Sequence, residues 1–223
     1  MDDDLFALHE ASLIDSWRLL ASVDPAAAVM AGPGAVTMVH SHPALCNALL
    51  RTPQGLERIR EVFAGRHHAV WVREPQARLD RALAAAGYRR DEHTVPMVLD
   101  LREWTETTDV AVARVDPGDV AEHSGVDRLM LAEVPHTHGY ATPAWESWAI
   151  TMSTGPVANV SFVTTREEFQ RRGLGRAVMT RALYDARARG ETHATLQSTP
   201  EGLRLYRRLG FRGVGTWQEW TPA

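Results

Sequence analysis

Apolar residues recur at helical spacing in several stretches, and most of these stretches end at or near a glycine or a proline. In the first stretch, for example, Leu13, Trp17 and Leu20 lie on one face. The pattern predicts helices over 5–21, 54–64, 75–86, 177–189 and 200–209. A further helical region starts after the cap residue Asp116 and ends near Glu133.

Runs rich in β-branched and aromatic residues lie between these helices. They predict strands over 26–31, 35–41, 69–72, 95–101, 110–115, 157–165, 194–198 and 214–220. Residues 43–50 are ambiguous, 145–151 fit either a strand or a short helix, and the composition of 135–143 predicts a loop. The alternation of helices and strands predicts an α/β fold (α+β, with a mixed sheet).

The order of elements in the first half of the chain recurs in the second half. Each half has a helix, a strand, a second helix, a glycine (Gly87 or Gly210) and a further strand. This order predicts two related domains, 1–102 and 108–223, joined by a polar, aperiodic linker at 102–109. Any αβα stretch would give a similar order. The order of elements alone is therefore compatible both with a true internal repeat and with two unrelated αβα stretches.

A short basic loop with two glycines joins the strand that ends at Thr165 to the helix that follows it. Its residues are Gln170, Arg171, Arg172, Gly173, Leu174, Gly175 and Arg176. Glycine lets the backbone approach a ligand closely, and the free N–H groups of the helix start attract an anion such as pyrophosphate. By itself the loop is equally compatible with a tight turn before an ordinary helix.

A second signature, Leu-Tyr-Arg-Arg-Leu-Gly-Phe at 205–211, follows the loop. In this order the two signatures resemble those of the GNAT superfamily of acyl-CoA-dependent N-acetyltransferases, over residues 157–220. The resemblance implies a GNAT fold in the C-terminal half. The N-terminal half then looks like a degenerate GNAT-like half without the glycine loop, for which 42–47 is the corresponding place.

The resemblance implies acetyl-CoA as the acyl donor and a primary amine as the acceptor. The backbones of Val163 and Thr165 would pair with the pantetheine amides, and the N–H groups of 171–176 would hold the pyrophosphate. The implied coenzyme-binding residues are Val163, Thr165, Gln170, Arg171, Arg172, Gly173, Leu174, Gly175, Arg176 and Ser198. Sheet completion, a solvated arginine face and a helix cap at Ser198 are the plainer interpretations.

The resemblance also places Tyr206 as the general acid that protonates the departing thiolate, although its helical spacing fits a core tyrosine as well. No residue is identified as the general base. The candidates are Glu133 and His138, with His136 and Glu146 as further ones. Trp145 and Trp148 fit either an apolar acceptor pocket or the core. Two histidines alone do not make a metal site, so no metal is predicted.

Composition narrows the function classes. The 223-residue chain has a net charge of −4 and 23% charged residues, which is typical of a globular protein and argues against a general nucleic-acid or membrane binder. The single cysteine, Cys46, fits a reducing cytoplasm. We therefore expect a cytoplasmic N-acetyltransferase. The alternative is a non-catalytic acyl-CoA-binding regulatory module, and both the acceptor and a homodimeric state stay open.

Overall fold

A computed structural model describes residues 2–223. The α-helices are α1 (Asp2–Ala21), α2 (Gln54–Val62), α3 (Ala77–Ala85), α4 (Pro117–His123), α5 (Leu174–Ala188) and α6 (Leu203–Arg208). The strands are β1 (Ala28–Gly32), β2 (Ala35–Val39), β3 (Asn47–Leu50), β4 (Ala69–Arg73), β5 (Tyr88–Asp100), β6 (Ala113–Val115), β7 (Thr137–Ala141), β8 (Ser147–Thr154), β9 (Val157–Thr165), β10 (His193–Ser198), β11 (Arg212–Gly213) and β12 (Trp217–Pro222).

The strands form one mixed sheet in the order β1-β2-β3-β4-β12-β5-β10-β9-β8-β7-β6, with β11 also on β5. The predicted α/β class is confirmed, and the five helices predicted with both bounds are present with ends shifted by up to three residues. The helical region predicted from Asp116 to near Glu133 is only partly correct, because α4 ends at His123 and a separate 3₁₀ turn follows at Arg128–Met130. Among residues 2–223, no helix combines the length and apolar character that crossing a membrane requires.

The predicted loop at 135–143 is wrong, because Thr137–Ala141 forms β7 between β6 and β8. Polar residues at its start hide the strand in the sequence, while Tyr140 and Ala141 are buried in the core. The ambiguous stretches are also settled: 47–50 and 147–154 are both strands.

Strand β5 belongs to both halves of the sheet. Residues 95–100 of β5 pair with β10 on one side, and Val98 and Met97 pair with β11 on the other. The last strand, β12, lies between β4 and residues 88–94 of β5. Each half therefore receives a strand from the other. The division into domains 1–102 and 108–223 stays a prediction, and the sheet contains strands from both.

Helices cover both faces of the sheet. On one face, α1 and α4 pack on β8 through a cluster that includes Trp17, Val120 and Ile150. On the other face, α5 and α6 pack on β5, β9 and β10 through a cluster that includes Met179 and Leu209. Although α1 comes from the N-terminal half, it crosses the C-terminal sheet and contacts β8, β9, β10 and β5.

The N-terminal half has its own strand-to-helix connection, residues 51–53 between β3 and α2. The prediction that placed it at 42–47 is wrong, because those residues form the link between β2 and β3 and the start of β3. Arg51 N and Thr52 N donate to the carbonyl oxygen of Gly34, at 2.8 and 3.1 Å. A Cβ on Gly55 would lie 2.3 Å from that oxygen, so the β1–β2 hairpin fills this place.

Candidate functional site

The glycine loop holds the first turn of α5 open. Gly173 is the N-cap residue with a φ of 82°, a conformation that favours glycine. A Cβ on Gly173 would meet nothing within 4 Å, so the space there is free. The hydrogen bond from Ala177 N to Gly173 O starts the helix ladder, which leaves the N–H groups of 174–176 without a helical acceptor. The loop can therefore hold an anion.

Gly175 allows close packing between α5 and β9. A Cβ at this position would lie 3.0 Å from Thr165 Oγ1, so its absence lets α5 approach the end of β9. Gln170 supports the same junction, because its side-chain amide lies 3.4 Å from the carbonyl oxygen of Thr165. Leu174 starts the helix, half-buried.

The three loop arginines differ in their surroundings. All three are exposed. Arg176 forms an ion pair with Glu106 of the linker, and the Arg172 guanidinium lies 5.2 Å from the centre of the Phe169 ring. Arg171 takes a positive φ of 61°. The solvent-exposed side of the loop is therefore positively charged.

Strands β9 and β10 part next to this loop. They pair in parallel only from Val157–His193 to Asn159–Thr195. Beyond that point β9 continues to Thr165, and it bulges: its register with β8 shifts between Trp148 and Ile150, and Phe162 has a φ of 55°. The two strands therefore enclose a cleft in which backbone groups of 160–165 are open to pairing with an extended ligand.

Tyr206 lies on α6 at the carboxyl end of β10. A Cβ on Gly202 would lie 2.8 Å from Tyr206 Cε2 and 3.0 Å from Ser198 Oγ, so the phenol ring and Ser198 flank the same glycine. Burial raises the pKa of Tyr206 to about 12, which keeps the phenol protonated at neutral pH. Within residues 2–223 its hydroxyl makes no hydrogen bond, so it is a free donor. Ser198 Oγ donates to the carbonyl oxygen of Thr199 at 2.7 Å.

The structure does not bring His138 to the glycine loop. On β7, its Nδ1 lies 2.8 Å from Arg114, and burial together with Arg189 lowers its pKa to about 4. Arg189 follows the last turn of α5, whereas the loop precedes the first turn. A 15-residue helix separates its ends by about 21 Å. His138 as a base stays a prediction.

Glu133 is exposed and follows the 3₁₀ turn at Arg128–Met130, on the α4 side of the sheet. Its role as a base likewise stays a prediction. His136, with a φ of 57°, precedes β7. Among the described residues 2–223, no three histidine, cysteine, aspartate or glutamate side chains gather as they would around a metal ion.

Glu146 and the two tryptophans lie beside the end of β9. The carbonyl oxygen of Glu146 accepts a hydrogen bond from Arg166 N at 2.9 Å. Trp145 is half-buried with a φ of 54°, and its ring stacks on His123 with centroids 3.8 Å apart. Trp148 is buried in the core. Trp145 therefore packs against α4 while it stays half-buried, and Trp148 is a packing residue.

Two features near the cleft were not predicted from the sequence. The first is the bulge at Phe162. No residue pattern along β9 indicates it, because the bulge arises from the register of β9 with β8. The second is the pair of His9 and Ser12 in α1, which reach the C-terminal sheet from the N-terminal half. The sequence does contain a signal for these two, since they are polar residues on the buried face of α1 that also carries Phe6, Trp17 and Leu20.

Comparison with known proteins agrees with this geometry. Residues 125–213 match a family model described as an acetyltransferase (GNAT) domain. Residues 125–213 are therefore similar to GNAT acetyltransferase domains. A GCN5-related N-acetyltransferase from Kribbella flavida aligns with a TM-score of 0.70 and 20% identity over 95% of both chains.

Other solved GNAT structures share the fold. A GNAT-family acetyltransferase structure from Novosphingobium aromaticivorans has a TM-score of 0.63 and 19% identity, over 86% of this chain and 89% of its own. A tandem GNAT protein from the clavulanic acid biosynthesis pathway has a TM-score of 0.56 and 13% identity, over 95% and 94%. A comparison with curated protein sequences gives no significant match. The GNAT fold therefore extends over nearly the whole chain.

Proposed function

We propose that this protein is an N-acetyltransferase that moves the acetyl group of acetyl-CoA to a primary amine in a ternary complex. One observation carries the proposal: the open helix start at Gly173 adjoins the cleft between β9 and β10. A ligand with a pyrophosphate and an extended amide arm needs these two features next to each other.

The residues around this junction fit the coenzyme. The N–H groups of 171–176 would hold the pyrophosphate, with the exposed arginines adding charge. Backbone groups of Val163 and Thr165 would pair with the pantetheine amides. Ser198 lies at the other wall of the cleft, near Tyr206.

The chemistry then needs two proton transfers. The amine attacks the thioester carbon, and collapse of the tetrahedral intermediate expels a thiolate. Tyr206, which is protonated and has no partner within residues 2–223, would give its proton to that thiolate. Such general acid catalysis contributes typically about 10²–10⁴-fold.

The test is a thiol-release assay with acetyl-CoA and a panel of small amines, peptides and lysine derivatives, with mass spectrometry of the acetylated products. We expect release that depends on one class of amine. Coenzyme binding by calorimetry without transfer to any amine would contradict the enzyme and favour the regulatory module.

A further inference from the structure

The buried face of α1 carries the polar side chains His9, Ser12 and Ser16. A helix normally presents apolar residues on its buried face. Ser16 Oγ donates to Leu13 O within the helix at 2.7 Å. His9 and Ser12, by contrast, reach across to the sheet of the C-terminal half.

Ser12 marks where α1 crosses that sheet. Its Oγ lies 2.9 Å from both Thr154 Oγ1 and Thr195 Oγ1. Asn159 Nδ2 lies 3.4 Å from Thr195 Oγ1. Asn159 and Thr195 form the last parallel pair of β9 and β10. Ser12 therefore sits at the closed end of the cleft.

His9, one turn before Ser12, contacts the first residue beyond that pair. Its Nε2 lies 3.1 Å from the carbonyl oxygen of Leu196. A carbonyl oxygen only accepts, so Nε2 carries the proton and donates. Burial lowers the pKa of His9 to about 4, so the ring is neutral at pH 7 and Nδ1 holds a lone pair. Within residues 2–223, the buried Nδ1 has no hydrogen-bond partner.

Two polar side chains lie on the α1 face of the strands, beyond the last parallel pair. Ser161 Oγ lies 3.2 Å from Asn159 Oδ1, which places Ser161 on the α1 face of β9. Gln197 is two residues beyond Thr195 and shares that face of β10. Both are half-buried. They lie beyond the last parallel pair of β9 and β10, on the face opposite α5, whereas His9 itself is fully buried.

We propose that His9 accepts the proton of the attacking amine at Nδ1, directly or through one bridging water. The N–C bond forms and the C–S bond breaks, while the amine proton passes to His9 and the Tyr206 proton passes to sulfur. The proton then returns from His9 to Tyr206 through solvent, and the products are the amide and the free thiol. This inference rests on the proposed function, and it places the base in the N-terminal half.

The decisive variant is His9→Gln. The glutamine amide can keep the donor to Leu196 O but has no basic atom at the Nδ1 position. We expect unchanged acetyl-CoA affinity and kcat lowered by about tenfold or more. The deficit should shrink as pH rises, because hydroxide then removes the amine proton. Ser16→Ala, on the same buried face, should keep the parent kcat.

The outcomes separate the two proposals. A folded His9→Gln protein with the parent kcat, or with a deficit equal at every pH, overturns the His9 role and leaves the acetyltransferase standing. If the parent protein transfers acetyl to no amine, the proposed function fails and His9 as base fails with it.

If the His9→Gln variant does not fold, the proposal can still be tested on the parent protein. In ¹⁵N-histidine-labelled protein, we expect the His9 Nδ1 resonance to shift when a CoA–amine bisubstrate adduct is added, and to stay in place with CoA alone. A resonance that ignores the adduct, although the adduct binds, overturns the proposal.

Discussion

At the scale of single residues, Gly173 leaves the space at the N-terminal end of α5 open. Gly173→Asp would place a Cβ and a carboxylate where phosphate must approach. We expect calorimetry to show no measurable acetyl-CoA binding in a folded variant. Gly190→Asp is the matched control, because Gly190 also has a positive φ, 97°, and open space, but lies at the other end of α5. Normal affinity in the Gly173 variant would contradict pyrophosphate binding at this helix start.

Tyr206 allows a second residue-scale prediction. If its phenol protonates the thiolate, Tyr206→Phe should lower kcat by about tenfold or more and leave coenzyme affinity intact, since the interaction forms only as charge develops on sulfur. Steady-state kinetics with a melting curve tests this. Tyr88→Phe is the control, because Tyr88 and Tyr206 are both 8% exposed. A Tyr206→Phe protein with the parent rate would exclude Tyr206 from the mechanism.

His9 gives a prediction on stability against pH. Its pKa is about 4 in the folded protein and returns to about 6.5 on unfolding, so between these values only the unfolded chain binds the proton. The folded state should therefore lose up to about 3 kcal/mol as pH falls through this window. Urea unfolding at pH 7 and at pH 4 should show that the stability advantage over His9→Gln shrinks. Glu219, whose pKa is raised to about 7, acts equally in both proteins. A constant difference would contradict a neutral His9.

At the scale of elements, the two strand-to-helix connections differ in whether a ligand has room to bind. The loop before α5 is open, whereas the one before α2 is filled by Gly34 and its N–H groups at 51 and 52 are satisfied. We therefore expect one acetyl-CoA per chain by calorimetry. A stoichiometry of two would show that the N-terminal half also binds the coenzyme.

The open connection could be predicted because its signal is local: glycines between a strand and a helix, followed by the Tyr206 segment. Strand β7 could not, because its residues 137–138 are polar and the composition of 135–143 is typical of a loop. The bulge at Phe162 depends on register with β8, which no pattern along β9 reveals. His9 is recognisable in the sequence as a polar residue on the apolar face of a helix, but periodicity alone does not show which part of the sheet that helix crosses.

At the scale of the whole molecule, the exchanged strands should join the two halves into one cooperative unit. Leu83→Ala in α3 removes a fully buried side chain of the N-terminal half and should cost about 2–5 kcal/mol. We expect thermal inactivation of acetyl-CoA binding, whose candidate residues all lie in the C-terminal half, to shift to lower temperature together with the circular dichroism melt. Two separate transitions, with inactivation unmoved, would show independent halves.

The sequence repeat indicated two related halves but not this exchange. The pattern over 95–101 predicts a strand, yet nothing in it shows that β5 begins at Tyr88 and changes partner midway. Strand pairing between distant segments depends on tertiary packing, so the partners of β5 and β12 emerge only from the structure.

The position of β12 also decides when the protein can finish folding. A ribosome releases the first half of the chain well before Trp217–Pro222 exist, so β4 and the first part of β5 must wait with unpaired edges. Unpaired edges attract other strands, and the nascent chain is most exposed to aggregation during this interval. Residues 217–222, which are synthesised long after residues 69–94, thus complete the half that was made first.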